Sequence, residues 1–348
     1  MCGVILILGI LCQFRFMMKK FIYFIFLALL VVSCEPKSTQ LFSKLDAAKT
    51  GVDFKNKLTE THKYNYFTYP YMYLGGGVSV GDVNNDGLED IFFTGNMVAN
   101  KLYLNKGNLE FEDISESAGI TGDERWYSGT TFVDINQDGY LDIYCSVGGK
   151  NGPNNNVLYI NNQDNTFTEK AAEYGIDCDG ISMQSTFFDY DKDGDLDLYV
   201  INYPPTSFTA PVEYYQYMLD NHEIKDSDRL YRNDNGKFTD VTVEAGLSSF
   251  GLSLGVVASD VNNDGYTDIF VSNDFNAPDF LFINNQDGTF TNQINTSLQQ
   301  ISFFGMGADI ADFNNDGFMD IFQLDMSAED NFRSKANMSS MDPAAFYK

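Results

Sequence analysis

The feature that most constrains the fold is an acidic segment that recurs five times along the chain. The copies are GDVNNDGLEDIFF at 81–93, VDINQDGYLDIYC at 133–145, FDYDKDGDLDLYV at 188–200, SDVNNDGYTDIFV at 259–271 and ADFNNDGFMDIFQ at 311–323. Successive copies begin 52, 55, 71 and 52 residues apart. A nearly fixed period of about 50 residues indicates a repeat architecture, in which each repeat is one supersecondary unit packed against its neighbours.

A second recurring unit lies between the acidic segments. Its copies are KLYLNKGNLEFEDISESAGI at 101–120, VLYINNQDNTFTEKAAEYGI at 157–176, RLYRNDNGKFTDVTVEAGL at 229–247 and FLFINNQDGTFTNQ at 280–293. Strand-forming residues, a turn rich in Asn, Asp and Gly, and a second strand opened by an aromatic residue predict a hairpin. Small residues precede the acidic segments, as in LGGGVSVGD at 74–82, and suit an inner strand beside a crowded axis. Each period therefore predicts four short strands, the pattern of a β-propeller blade.

The sequence thus predicts an all-β chain with a propeller of five or more four-stranded blades over residues 75–330. Residues 35–74 form an N-terminal segment, in which 41–54 matches the end of the hairpin unit and predicts an outer strand that closes the ring. Residues 331–348 form a polar tail. Seven blades of about 55 residues need more chain than is present, and an open propeller would leave unpaired strand edges. We therefore expect a fragment of a longer protein, an incomplete propeller with a truncated tail.

The acidic segments carry the chemistry. Each fits D-x-[DN]-x-D-G-x-x-D, which places oxygen-bearing side chains at positions 1, 3, 5 and 9 and glycine at position 6. Such a loop turns its oxygens around one hard cation, position 7 adds its backbone carbonyl, and all-oxygen ligands favour Ca²⁺. The glutamate that ends an EF-hand loop is absent, and a strand follows instead of a helix. Ordinary solvated turns without metal are the alternative.

We therefore predict up to five Ca²⁺ sites, one for each acidic segment. The predicted ligands are Asp82, Asn84, Asp86, Leu88 and Asp90; Asp134, Asn136, Asp138, Tyr140 and Asp142; Asp189, Asp191, Asp193, Asp195 and Asp197; Asp260, Asn262, Asp264, Tyr266 and Asp268; and Asp312, Asn314, Asp316, Phe318 and Asp320.

These loops resemble FG-GAP/VCBS repeats, the calcium-binding blades of integrin α-subunit propellers. The stretch at 66–107, YFTYPYMYLGGGVSVGDVNNDGLEDIFFTGNMVANKLYLNKG, also resembles bacterial lipoproteins of the cartilage-acidic-protein (ASPIC/UnbV) group. The resemblance implies an integrin-like propeller with one calcium ion per loop and export to the cell envelope. The carboxy-terminal ASPIC/UnbV domain of that group is missing from this sequence, and the fifth repeat lacks its hairpin.

Residues 1–34 predict a lipoprotein signal peptide. Three basic residues precede an apolar run at 21–32, which is too short to span a bilayer comfortably. The run ends in VVSC at 31–34, which resembles a lipobox and implies lipidation of Cys34. We expect a lipid anchor in the envelope of a Gram-negative bacterium, at the outer membrane or periplasmic face; a short membrane anchor is the alternative.

Two cysteines, Cys145 and Cys178, lie in the propeller region. Cys145 shares the strand alternation of Ile143, so a buried free thiol is expected in preference to a disulfide.

Two aromatic-rich segments carry less specific signals. The alternating residues Tyr64, Tyr66, Tyr69, Tyr71 and Tyr73 predict a strand. An insertion at 202–228 contains Tyr203, Phe208, Tyr214, Tyr215 and Tyr217. These aromatics either stack on sugar rings or fill a partner's pocket, or they pack onto the blade from a short helix.

Charge limits the function classes. With 49 acidic against 22 basic residues and a net charge of −27, the chain has no basic footprint for nucleic acid. A G-x-S-x-G match at 77–81 lacks the helix and the histidine partner that a nucleophile needs, so no catalytic residue is predicted. We expect a binding module for a protein or glycan, attached to the membrane only through its lipid. A propeller-based carbohydrate lyase or hydrolase, or a structural part of an envelope complex, is the alternative.

Overall fold

The computed structural model describes residues 41–149, 152–204, 227–274, 277–302 and 304–326, with isolated residues at 213, 217, 220, 221 and 332. The predicted signal peptide with Cys34, most of the 202–228 insertion and almost all of the tail lie outside the described residues. Residues 41–46 belong to a separate N-terminal unit and are exposed, whereas every described strand lies in the unit that begins at Ala47. In the described ranges no helix is long and apolar enough to cross a bilayer.

The described residues form 18 strands in five antiparallel sheets, and in each sheet the strands follow chain order. The first sheet contains β1 (Val78–Gly81), β2 (Asp90–Phe93), β3 (Lys101–Asn105) and β4 (Phe111–Asp113). The second contains β5 (Tyr127–Val133), β6 (Asp142–Val147), β7 (Val157–Asn161) and β8 (Phe167–Glu169). The third contains β9 (Ser182–Phe188), β10 (Asp197–Asn202), β11 (Arg229–Asn233) and β12 (Phe238–Asp240). The fourth contains β13 (Ser253–Ser259), β14 (Asp268–Asn273), β15 (Phe280–Asn284) and β16 (Phe290–Asn292). The fifth pairs β17 (Gly305–Ala311) with β18 (Asp320–Asp325).

This architecture confirms the predicted all-β class and the four-stranded blade. The first strand of each sheet contacts the first strand of the next, in the order β1, β5, β9, β13, β17. Residues in or beside these five strands line one cavity of about 500 Å³. A Cβ on Gly77 would lie 2.7 Å from the backbone nitrogen of Thr130, so the small residues before the acidic segments permit the close approach of the inner strands.

Apolar cores fill the spaces between neighbouring blades. Every residue of β6, β10 and β14 is buried between its flanking strands and the adjacent sheets. In β18 the equivalent residues Phe322 and Leu324 are 56% and 55% exposed, because no third strand lies beside β18 in the described residues. Cys145 and Cys178 are free and buried, as predicted, and burial raises the pKa of the Cys145 thiol to about 12.

The helices of the described residues are short and lie before the first blade or between blades. The α-helices are Ala47–Thr50, Ser115–Ala118, Ala171–Tyr174 and Ile294–Ser297, and a 3-10 helix spans Pro70–Tyr73. The outer strand predicted at 41–54 is wrong, since residues 47–50 are helical and the rest is irregular. What residues 41–54 share with the hairpin unit is the helical turn at its end. Gly51 follows this turn in the N-terminal segment and Gly119 follows it in the first blade, with φ of 79° and 76°.

The strand predicted from alternating tyrosines at 64–73 is also wrong. Asn65 Oδ1 accepts the backbone N–H of Thr68 at 3.2 Å, which closes a turn, and proline opens the 3-10 helix that follows. The tyrosines serve to join blades: the Tyr69 hydroxyl donates to the Gly148 carbonyl at 2.7 Å.

The insertion supplies a further aromatic to this region. The Tyr203 ring packs on that of Tyr71 at 4.4 Å, so this member of the insertion belongs to the core, whereas Tyr217 is 56% exposed. Phe208, Tyr214 and Tyr215 lie outside the described residues.

Candidate metal centres

All five acidic segments occupy the same place in their blades, the connection between the first and second strands. Position 1 follows directly after the first strand, and position 9 is the first residue of the second strand, as in Asp134 after β5 and Asp142 at the start of β6. The glycine at position 6 has φ between 85° and 97° in all five copies, a conformation that other residues adopt only with strain. The structure therefore gives the five loops the same backbone conformation and places them at one end of the sheets, and within the described residues the carboxylates that meet the spacing of a metal site are Asp189, Asp191 and Asp197 of the third loop.

One bonding pattern shapes these loops, and the second loop illustrates it. Asp134 Oδ1 accepts the N–H of Asp138 at 3.0 Å, and Asp134 Oδ2 accepts the N–H of Gly139 at 2.9 Å. Asn136 Oδ1 also accepts the N–H of Asp138, at 3.0 Å, and Asp138 Oδ1 accepts the N–H of Tyr140 at 2.9 Å. Side-chain oxygens from positions 1, 3 and 5 thus converge inside the loop.

The aspartate at position 9 has a second, structural task. Asp142 is fully buried; its Oδ2 accepts the N–H of Ile135 at 3.2 Å, and its Oδ1 accepts the N–H of Asn161 at 2.8 Å. Burial raises the pKa of the Asp142 carboxyl to about 7, although the two N–H groups act in the opposite direction. This carboxylate therefore ties the acidic loop to the hairpin of its own blade.

The third loop shows most directly that the donor set fits a cation. One carboxylate oxygen from each of Asp189, Asp191 and Asp197 lies within 4.8 Å of the others. Asp189 Oδ1 and Asp191 Oδ1 are buried without a hydrogen-bond partner. Burial is the main cause that raises the pKa of the Asp191 carboxyl, and the nearby Asp193 carboxylate raises it further. Three clustered carboxylates, two of which carry an unsatisfied buried oxygen, form a hard donor set of the kind that suits a divalent cation.

The sequence analysis missed three sets of residues around these loops. The first is the asparagine that ends each third strand, such as Asn161, whose N–H reaches position 9. The second consists of hairpin-turn amides: Gln286 Nε2 donates to Asp264 Oδ2 at 3.1 Å, and Gln163 Nε2 donates to Asp138 Oδ2 at 3.3 Å. The third is the position-4 side chain of each loop. The recurrence of LYxN, of NNQD and of a polar residue at position 4 was the available signal.

Comparison with known proteins supports the repeat at the level of family. The model of the FG-GAP-like repeat matches residues 82–145, 146–200, 219–271 and 260–322. Cartilage acidic protein 1 of Xenopus tropicalis is 30% identical over 131 residues, which cover 37% of this chain and 20% of that protein. The human protein of the same name is 39% identical over 83 residues, which cover 24% of this chain and 12% of that protein. The match thus spans a fifth or less of these relatives.

Among solved structures, rhamnogalacturonan lyase YesW aligns over 72% of this chain and 46% of that chain, with 12% identity and a TM-score of 0.38. A likeness this weak carries no information about activity. The family model, in contrast, matches well over half of the chain, and each matched segment contains the acidic loop with its flanking strands. The chain belongs to the FG-GAP-like repeat family.

Proposed function

We propose that this protein is an exported, lipid-anchored β-propeller whose acidic loops bind structural Ca²⁺ and whose remaining surface binds a protein or glycan. The observation that carries the calcium assignment is the third loop, where three carboxylates converge and two buried oxygens lack a partner. The other loops repeat the same residue pattern in the same place of their blades. An ion in each loop would also offset part of the net charge of −27.

The expected contribution of calcium to stability is large. Extracellular calcium modules have Kd values of about 10⁻⁴–10⁻³ M. At about 2 mM free Ca²⁺ and a Kd of about 0.1 mM, each independent site adds about 1.8 kcal/mol to the free energy of unfolding. Five such sites approach the whole stability of an ordinary domain, about 5–15 kcal/mol. Calcium therefore acts as a structural ion, which leaves ligand binding to other surfaces.

Thermal melting tests the calcium sites. We expect the melting temperature of the full chain to rise by many degrees between excess EDTA and millimolar Ca²⁺. The double variant Asp264→Ala plus Asp316→Ala removes the position-5 carboxylate from two loops and should lose much of that rise. A cooperative melt at the same temperature with and without Ca²⁺ would refute the calcium sites.

Export and anchoring rest on the apolar run at 21–32 and on Cys34. In a Gram-negative host the wild type should fractionate with membranes, and Cys34→Ala should appear in the soluble envelope fraction. Binding to glycan arrays or to envelope proteins without product release would support the module. Turnover of a polysaccharide would contradict it.

A further inference from the structure

The first four acidic loops each reach the next one through the side chain at the fourth position. This residue lies between the predicted ligands at positions 3 and 5. Three such contacts are hydrogen bonds from a side-chain amide to the position-6 glycine carbonyl of the following loop. They join Asn85 Nδ2 to Gly139 at 2.8 Å, Gln137 Nε2 to Gly194 at 3.1 Å and Asn263 Nδ2 to Gly317 at 3.3 Å.

The backbone at position 4 makes this reach a regular feature. All five residues at this position have φ between 56° and 64°. This left-handed conformation is uncommon outside glycine, and asparagine tolerates it better than most residues. Sequence variation at position 4 is therefore limited by backbone conformation as well as by the contact with the next loop.

The acceptor carbonyl belongs to a peptide group next to a predicted ligand. In the second loop, the peptide between Gly139 and Tyr140 donates its N–H to Asp138 Oδ1 at 2.9 Å and accepts the Asn85 amide through its carbonyl. Tyr140 is the residue whose own carbonyl is predicted to bind the ion. The Gly139–Tyr140 peptide group, which directly precedes that carbonyl, is thus held from two sides, by Asp138 of its own loop and by Asn85 of the neighbouring loop.

The third and fifth loops repeat this arrangement. The N–H of Asp195 donates to Asp193 Oδ1, and that of Phe318 donates to Asp316 Oδ1, both at 2.9 Å. In each case the carbonyl of the same peptide group is the one that accepts the amide from the preceding loop.

The contact between the third and fourth loops differs. Position 4 of the third loop is Lys192, whose Nζ lies 3.8 Å from the centroid of the Tyr266 ring. A cation over a ring replaces the amide-to-carbonyl bond of the other pairs. The cross-loop hydrogen bonds of the described residues therefore divide the loops into two groups, the first three loops and the last two.

We propose that calcium binding is coupled between neighbouring loops within each of these two groups by the position-4 amides. This proposal rests on the calcium sites proposed above. An ion in the second loop fixes the Gly139 carbonyl, which holds Asn85 and so orders the ligands on either side of it, Asn84 and Asp86. Linkage makes the effect reciprocal, so an ion in the first loop favours binding in the second. One hydrogen bond corresponds to a change in affinity of about 2–10-fold.

Hydrogen–deuterium exchange of the full chain at buffered Ca²⁺ concentrations resolves the loops individually. The measured quantity is the Ca²⁺ concentration that gives half-maximal protection of the peptide covering 134–142. Asn85→Gly keeps the left-handed backbone but removes the donor. We expect it to raise this midpoint about 2–10-fold, although the substitution lies in another loop. Asn85→Gln retains an amide donor, as in Gln137, and should restore most of the wild-type midpoint.

Asn315→Gly is the matched control, because Asn315 has the same loop position and a φ of 60° but makes no cross-loop bond in the described residues. It should leave the 134–142 midpoint unchanged, because the fifth loop belongs to the other group. If calcium protects every loop but Asn85→Gly leaves the 134–142 midpoint unchanged, coupling is overturned and the calcium sites stand. An equal shift of the 134–142 midpoint in Asn315→Gly would also overturn the coupling, because the effect of glycine would then be a general loss of rigidity in the loops. If calcium protects no loop, the proposed function itself fails.

Discussion

Asn156 and Asp228 occupy the same position in successive blades, one as an amide and the other as a carboxyl group. Each directly precedes the third strand of its blade and is 1% exposed. Asn156 Oδ1 accepts the N–H of Val147, and Asp228 Oδ1 accepts the N–H of Asn202, both at 2.8 Å. Both residues thereby tie the end of the second strand to the start of the third, but only one of them titrates.

This difference predicts a pH-dependent effect of Asp228→Asn. Burial raises the pKa of the Asp228 carboxyl to about 7, against the N–H and hydroxyl groups that donate to it. Its contribution to stability is therefore complete below about pH 4 and is lost as the pH rises through about 7. In EDTA, Asp228→Asn should raise the free energy of unfolding by about 4 kcal/mol at pH 8 and by much less at pH 4.5.

The reverse substitution is the control for that prediction. Asn156→Asp introduces a carboxyl group at the equivalent buried place, so the variant should lose stability at pH 8 and recover on acidification. If Asp228→Asn is less stable than the wild type at pH 8, the charged carboxylate stabilises the fold, and the prediction is wrong.

The two roles of the acidic residues can be separated in the third loop. Asp197 accepts the N–H groups of Tyr190 and Asn233 at 3.0 and 2.8 Å. Asp197→Ala leaves these donors unpaired, so we expect a loss of about 2–3 kcal/mol by urea unfolding even in EDTA. Asp191→Asn should be at least as stable as the wild type in EDTA, because it removes a partly buried charge, and should gain less from calcium. Equal behaviour of the two variants in EDTA would refute a structural role for position 9.

Lys192 should weaken calcium binding in the fourth loop. The Tyr266 N–H and, as a smaller contribution, the Lys192 ammonium lower the pKa of Asp264. Lys192→Met removes the charge and keeps an apolar chain over the Tyr266 ring. We expect its fourth loop to bind Ca²⁺ about threefold more tightly at low ionic strength, measured by exchange protection of 260–268. The gain should vanish in about 1 M salt, where the Debye length is about 3 Å; a gain that persists there would exclude an electrostatic cause.

Two glycines with similar backbone conformations should respond differently to alanine. Gly236 and Gly246 have φ of 83° and 73°, so both substitutions cost about 1 kcal/mol in strain. A Cβ on Gly246 would also lie 3.2 Å from the Phe290 carbonyl oxygen, whereas Gly236 faces open space. Gly246→Ala should therefore lose about 1 kcal/mol more in urea unfolding than Gly236→Ala. Equal losses would show that the contact between blades tolerates the extra methyl group.

The fold could be predicted from the sequence because its signals repeat. One acidic loop is also an ordinary turn, but five copies, four of them followed by a hairpin unit, specify the blade and the place of the acidic loop within it. The failures lie where a segment occurs once. The tyrosines at 64–73 alternate like a strand, yet their hydroxyls and rings join different blades, a tertiary contact that local periodicity does not encode.

Contacts between loops were also beyond the sequence analysis. Asn85 occupies an unspecified position of the acidic motif, and its partner Gly139 lies 54 residues away along the chain. Residues whose partners lie in the next blade become recognisable only once the spacing of the blades is known. This explains why the sequence indicates the acidic loops but not the position-4 contacts between them.

The number of calcium ions bound per chain decides whether the acidic loops are calcium sites. Isothermal titration calorimetry of the full chain, freed of metal with EDTA and then dialysed, gives this number. The account predicts saturable binding that approaches five ions per chain, with fewer bound by Asp264→Ala plus Asp316→Ala. Less than one ion bound per chain at about 10 mM free Ca²⁺ would contradict it, since extracellular calcium sites saturate below that concentration.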